Sequence, residues 1–166
     1  METLTKVLIK SPLGLLRLVS DRNVLTELEF EKDEMQSPTA DLNQDDPVLS
    51  PVIKQLDAYF RGELRAFDFP FLQTGTEFQQ RVWNELVNIP FGKTISYQEL
   101  SRRLGDPKNI RAAASANGKN KLAIIVPCHR VIGSDGSLTG YGGGLWRKQW
   151  LLEHEGKFAY GAQMIW

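Results

Sequence analysis

The chain has 166 residues, of which 42% are hydrophobic and 24% charged, and its formal net charge is zero. That composition suits an ordinary globular protein and excludes a disordered or fibrous chain. A single cysteine excludes an internal disulfide, and no apolar run reaches the length of a membrane span.

The first residues, Met1-Glu2-Thr3-Leu4-Thr5-Lys6, lack the basic start and apolar stretch of a signal peptide, so a cytoplasmic protein is expected. The zero net charge hides an asymmetry. Residues 1–74 carry 8 Lys/Arg against 13 Asp/Glu, a balance of −5, and residues 75–166 carry 12 against 7, a balance of +5. The basic half could meet phosphates, or it could be an ordinary solvated surface; charge alone does not separate the two.

Three β-like runs open the chain: Val7–Lys10, Leu15–Ser20 and Val24–Phe30. Turn residues separate them, at Ser11-Pro12-Leu13-Gly14 and at Asp21-Arg22-Asn23, which predicts a small antiparallel meander. Residues 31–46 are acidic and polar and read as a loop. A helix should follow over about Val48–Phe60, because Val52, Leu56, Tyr59 and Phe60 recur at helical spacing before Arg61-Gly62. Residues 69–75 read as a linker between an N-terminal α/β domain, 1–72, and a C-terminal domain, 75–166.

In the second domain, Thr76 is a candidate N-cap for a helix through Val82, Trp83, Leu86 and Val87 that stops by Pro90. Ser96 and Glu99 have the spacing of a capping box, and Gly105 closes that second helix. A further short helix runs from about Asn109 to Ala116 and stops at Asn117-Gly118. Two short helices across a glycine-containing turn predict a helix-turn-helix. The second carries Arg111 and otherwise small side chains. It is either a slim helix with one long cation that enters a groove, or a helix packed tightly against neighbours.

Ala123–Val126 is continuously apolar and predicts a buried strand. It leads to Pro127-Cys128-His129-Arg130, then to a hairpin-like Gly133-Ser134-Asp135-Gly136 and a glycine cluster from Gly140 to Gly144. A last helix from Leu145 should end near His154-Glu155-Gly156, leaving Arg147 and Lys148 available to solvent or phosphate. His154 reads as a surface or capping residue. The fold expected is α/β (α+β): a small N-terminal antiparallel sheet with a helix, then a helical C-terminal domain with a helix-turn-helix and an active-site loop.

A lone cysteine is ordinarily a small buried hydrophobe. Beside His129 and Arg130, Cys128 becomes a candidate nucleophile, because a neighbouring cation or imidazole favours the thiolate. In a strand, adjacent side chains point to opposite faces, so His129 can serve Cys128 only if the backbone turns or a water bridges them. Glu155 is the candidate to orient His129, in the way a carboxylate orients the base of a triad. With one cysteine and two histidines, no metal site is expected.

The span Thr76–Gly156, through FQQRVWNELVNIPFGKTISYQELSRRLG, RAAASANGKN, IIVPCHRVIGSDGSLTGYGGGL and WLLEHEG, resembles the methylated-DNA–protein-cysteine methyltransferases, or O6-alkylguanine-DNA alkyltransferases. The resemblance implies DNA repair by a single, irreversible transfer of an alkyl group from O6-alkylguanine, with O4-alkylthymine as a second lesion, to Cys128, without a cofactor. It implies that His129 deprotonates Cys128 through a water, that Glu155 holds the imidazole, that Asn120 ties the active-site turn, and that Tyr97 donates toward the departing purine. It places Arg111, Ala112, Ser115, Asn117 and Gly118 against the minor groove of double-stranded DNA, with Arg111 filling the space of a flipped nucleotide. Val131, Tyr141 and Gly142 would line the base pocket of a monomer. This chain reads Ala113-Ala114, Lys121 and Gly142 where Val-Gly, Pro and Ser or Ala are common. The competing readings are a non-catalytic lesion-binding protein, a helix-turn-helix regulator and a Cys-His hydrolase.

Overall fold

A computed structural model describes residues 4–40 and 46–161. The chain divides into two compact units between Gln73 and Thr74. The first holds an antiparallel sheet of β1 (Leu4–Ile9), β2 (Leu16–Asp21) and β3 (Val24–Phe30), in that order, followed by α1 (Leu49–Phe60). The period-2 pattern that suggests strands also sorts the faces: in β2, Leu16, Leu18 and Ser20 are buried and their neighbours are not. On the outer face Arg17 bonds Glu29 at 2.6 Å and Glu31 at 2.9 Å. The β1–β2 turn is held by Ser11, whose Oγ accepts from Leu13 N–H and donates to the Gly14 carbonyl.

Residues 31–40 contain no helix or strand, as expected, although Thr39 is tied to Leu8 by two hydrogen bonds, 2.8 and 2.9 Å. The rest of the acidic loop, residues 41–45, lies outside the described residues. α1 starts where Asp46 Oδ1 accepts from the N–H groups of Val48 and Leu49, satisfying donors that a helix start leaves open. Its stripe of Val52, Leu56 and Tyr59 is buried. The segment read as a linker is partly structured: Leu25 N–H donates to Pro70 O and Leu72 N–H to Leu25 O, so Phe71 pairs in parallel with the sheet.

The second unit contains α2 (Glu77–Val87), β4 (Ile95–Ser96), α3 (Tyr97–Arg103), α4 (Ile110–Gly118), a 3-10 turn at Cys128–Arg130, β5 (Val131–Ile132) and α5 (Leu145–Tyr160). Thr76 caps α2 in a full capping box with Gln79. Ser96 caps α3 by accepting from Glu99 N–H, but the Glu99 carboxylate turns to Arg102 and Arg103 instead of closing the expected box. α2 packs on α4 through buried Val82, Trp83 and Leu86, each contributing about 1.5–3 kcal/mol of burial. The Trp83 indole N–H donates to the Ala116 carbonyl at 2.9 Å. α3 and α4, joined through Gly105 at φ 86°, form the expected helix-turn-helix.

Two expectations need correction. Ala123–Val126 is buried, but it is a turn and not a strand: Val126 N–H bonds the Leu122 carbonyl, and Ile124 sits at φ 72°. β5 pairs in parallel with β4, Ile95 against Val131 and Ser96 against Ile132, and the stretch after it closes the expected hairpin-like turn, with Gly133 N–H donating to the Ser137 carbonyl and Gly136 N–H to the Gly133 carbonyl, both at 2.9 Å. α5 runs past Gly156 to Tyr160. A mid-helix glycine costs only about 1 kcal/mol, and the last turn is packed: a Cβ placed on Gly92 would lie 2.6 Å from Ala159 Cβ.

Candidate active site

The turn before Cys128 is built around Asn120. Its Oδ1 accepts from Leu122 N–H at 3.0 Å, and its Nδ2 donates to the carbonyls of Val126 at 2.8 Å and Leu122 at 3.4 Å. Those bonds hold Ile124 in the left-handed region, which a β-branched residue ordinarily avoids. The chain then enters the 3-10 turn at Cys128, with three residues per turn, so successive side chains fan out in place of alternating. The backbone thus makes the bend that a contribution of His129 to Cys128 requires.

Cys128 is 8% exposed. Burial pushes its thiol up, opposed by a hydrogen bond from Asn120 and by the charge of Lys148. The cation acting on the thiol is therefore Lys148, not the adjacent Arg130. Arg130 is buried and turned to Glu155, with Nε donating to Oε1 at 2.8 Å and an Nη to Oε2 at 2.9 Å; its other Nη donates to the Ile89 carbonyl.

Glu155, on α5, also accepts from His129 Nε2 at 2.8 Å. Flanked by His129 and Arg130, its carboxyl is held well below the usual carboxylate range even though it is buried. His129 is fully buried, and burial draws its pKa down despite the carboxylate. The charges of Arg130 and Lys148 add to that fall. Nε2 carries the proton that bonds Glu155, which leaves Nδ1 as the basic nitrogen. Nδ1 is buried and has no hydrogen-bond partner among the described residues.

Lys148, expected at the surface, is fully buried. Its Nζ donates to the Thr139 carbonyl at 2.9 Å and lies 5.7 Å from the centre of the Tyr97 ring. Burial lowers its pKa to about 8, with the nearby Cys128 opposing the fall. Arg147 is also engaged, donating to the Gly143 carbonyl at 2.7 Å. The Tyr97 hydroxyl donates to the same Thr139 carbonyl at 3.4 Å. Tyr97 and Tyr141 both feel the charge of Cys128, and burial raises both phenols. Val131 is fully buried in β5, and Gly142 is exposed in the glycine cluster.

On α4, Arg111, Ser115 and Gly118 are exposed and Ala112 is half-buried. Ala113 is fully buried, so its departure from the common pattern is a matter of packing. Asn117, expected to face DNA, is 5% exposed, and its Nδ2 donates to the Cys128 carbonyl at 3.4 Å. His154, expected at the surface, is buried and stacks on Trp150 at 4.8 Å. Among the described residues, no three His, Cys, Asp or Glu side chains cluster as metal ligands do.

Residues 77–157 match the DNA binding domain of 6-O-methylguanine DNA methyltransferase, and residues 4–73 match its ribonuclease-like domain. The chain belongs to the 6-O-methylguanine DNA methyltransferase family. The methylated-DNA–protein-cysteine methyltransferase of Mycobacterium tuberculosis is 48% identical over 147 residues, 89% of each chain. That of Methanosarcina acetivorans is 43% identical over 150 residues, 90% of this chain and 96% of the other. The crystal structure of Mycobacterium tuberculosis O6-methylguanine methyltransferase superimposes with a TM-score of 0.80 at 46% identity, covering 92% of each chain. The Mycobacterium tuberculosis OGT in complex with DNA gives 0.80 at 48% identity, covering 91% of this chain and 92% of the other.

Within this family frame, sequence reasoning missed the buried positions of Arg130, Lys148 and Asn117. A signal for Lys148 was present: with Leu151, Leu152 and Glu155 it falls at i, i+3, i+4 and i+7, one face of a helix. Arg130 and Asn117 carried no comparable signal.

Proposed function

We propose that this member of the 6-O-methylguanine DNA methyltransferase family repairs DNA by moving the alkyl group of O6-alkylguanine onto its own Cys128, irreversibly and once per chain. The observation that carries the reading is the geometry of His129: its Nε2 lies 2.8 Å from the Glu155 carboxylate, and its buried Nδ1 has no hydrogen-bond partner among the described residues, next in the chain to a buried cysteine. His129 Nδ1 takes the Cys128 proton through a water. The sulfur attacks the alkyl carbon, the S–C bond forms, and the C–O6 bond breaks with its electron pair left on the purine. Tyr97 supplies a proton or hydrogen bond to that purine, and the imidazolium can restore it. Lys148 and the Asn120 bond offset the cost of forming a thiolate in a buried site. The thioether product has no leaving group that water displaces, so the protein is consumed. O4-alkylthymine presents the same bond to the same sulfur.

The lesion is out of reach within a duplex, so the base must flip. Arg111, exposed on α4, occupies the vacated space from the minor groove, with Ala112, Ser115 and Gly118 beside it. Val131, Tyr141 and Gly142 line the pocket that receives the base. We assign the two units as separate domains of a monomer acting in the cytoplasm. Among the described residues, no helix is long and apolar enough to cross a membrane.

The test is incubation with duplex DNA carrying labelled O6-methylguanine, followed by peptide mass spectrometry. One methyl group on Cys128, at most one per chain, and none in Cys128→Ala is the expected result. Label released as a small product would favour a hydrolase, and tight binding without transfer a non-catalytic binder.

A further inference from the structure

We propose that Asn117 is a positioning residue for alkyl transfer: from the last turn of α4 its amide holds the Cys128 carbonyl. This deepens the reading of Cys128 as alkyl acceptor and rests on it. Asn117 is 5% exposed, too deeply placed to reach a phosphate. Its neighbours on the inner face of α4, Ala113 and Ala116, are buried apolar residues, so packing alone calls for another small apolar side chain. An asparagine there carries a penalty that an apolar residue would not. Its Oδ1 is buried with no hydrogen-bond partner among the described residues, and an unsatisfied buried acceptor costs stability. Such an orphan calls for a reason, and the other end of the amide supplies one.

Nδ2 has two hydrogens. One is donated to the Cys128 carbonyl at 3.4 Å. Burial raises the Tyr97 pKa, and Asn117 opposes that rise. Asn117 also joins the helix that carries Arg111 to the acceptor cysteine, so docking and chemistry share one rigid element.

The experiment uses the full chain and free O6-benzylguanine, which removes DNA binding from the measurement, with intact-mass detection of single-turnover alkylation. Wild type must first be alkylated at Cys128; if it is not, the acceptor reading itself fails, independently of Asn117. Asn117→Leu, which keeps the branched shape and removes the amide, is expected to lower the maximal rate constant about tenfold, the effect of one lost hydrogen bond, with the half-saturating concentration little changed. Asn117→Ser, which retains one donor, should recover part of the rate and serves in its place if Asn117→Leu does not fold. A loss carried by the half-saturating concentration instead of the maximal rate constant, or a rate for both Asn117 variants within about twofold of wild type, would overturn the proposal.

Discussion

Replacing Glu155 by glutamine should destabilise the protein far more than its near-isosteric shape suggests. The carboxylate accepts hydrogen bonds from His129 Nε2 at 2.8 Å and from Arg130 at 2.8 and 2.9 Å, and a longer one from Gly92 N–H at 3.5 Å. A glutamine has one acceptor oxygen, and its NH2 group would face a donor whichever way the amide is turned. The Arg130 guanidinium would keep its bond to Ile89 but lose its counter-charge in a site only a few per cent exposed. Breaking a buried pair from one side costs about 3–5 kcal/mol, a large share of the roughly 5–15 kcal/mol that holds a domain folded. The effect has a pH signature. Because folding depresses the Glu155 pKa, its contribution is fully present above the ordinary carboxyl value of 4.5 and is lost as pH falls toward the folded value. Urea denaturation of both proteins at neutral pH, and at a series of lower pH values, should give a wide gap that narrows in acid. A loss below about 1 kcal/mol, or a gap that does not change with pH, would refute the claim that the ionised carboxylate holds this cluster.

Lys148→Met should move the pH midpoint of Cys128 alkylation upward, since the buried ammonium opposes the burial penalty on the thiol; an unmoved midpoint would remove Lys148 from the site. In wild type the same support should fade above pH about 8, where Lys148 loses its proton. Arg111→Ala should slow repair of duplex DNA at least about tenfold while leaving reaction with free O6-benzylguanine within about twofold. Equal losses on the two substrates would rule out its role in filling the space of the flipped base.

The legible part of this protein was what local chemistry dictates. Thr76 before an amphipathic run marks a helix start, and the alternation in Leu16–Ser20 marks a strand with one buried face. Glu155 as the partner of His129 was readable because a neutral base needs an acceptor behind it. Ala123–Val126 was readable as buried but not as a turn, because a short apolar run carries no period. Its conformation depends on Asn120, whose side chain replaces ladder hydrogen bonds and keeps Ile124 at a positive φ that its own branching opposes, a strain of about 1–3 kcal/mol. Arg130 was misassigned for a related reason. Adjacency in sequence suggested a cation for the thiol, whereas the 3-10 turn sends its guanidinium to Glu155 on α5.

The two faces of α4 also divide what natural variation can change. Arg111, Ser115 and Gly118 look outward, while Ala113, Ala116 and Asn117 look inward. A substitution on the outer set alters where the protein settles and how long it stays. A substitution on the inner set alters what happens after it has settled. A lineage can therefore retune its search for damage by drifting at Ser115 and Gly118 without disturbing the reaction, and a survey of tolerated changes along this helix should rise and fall with a period near 3.6 residues.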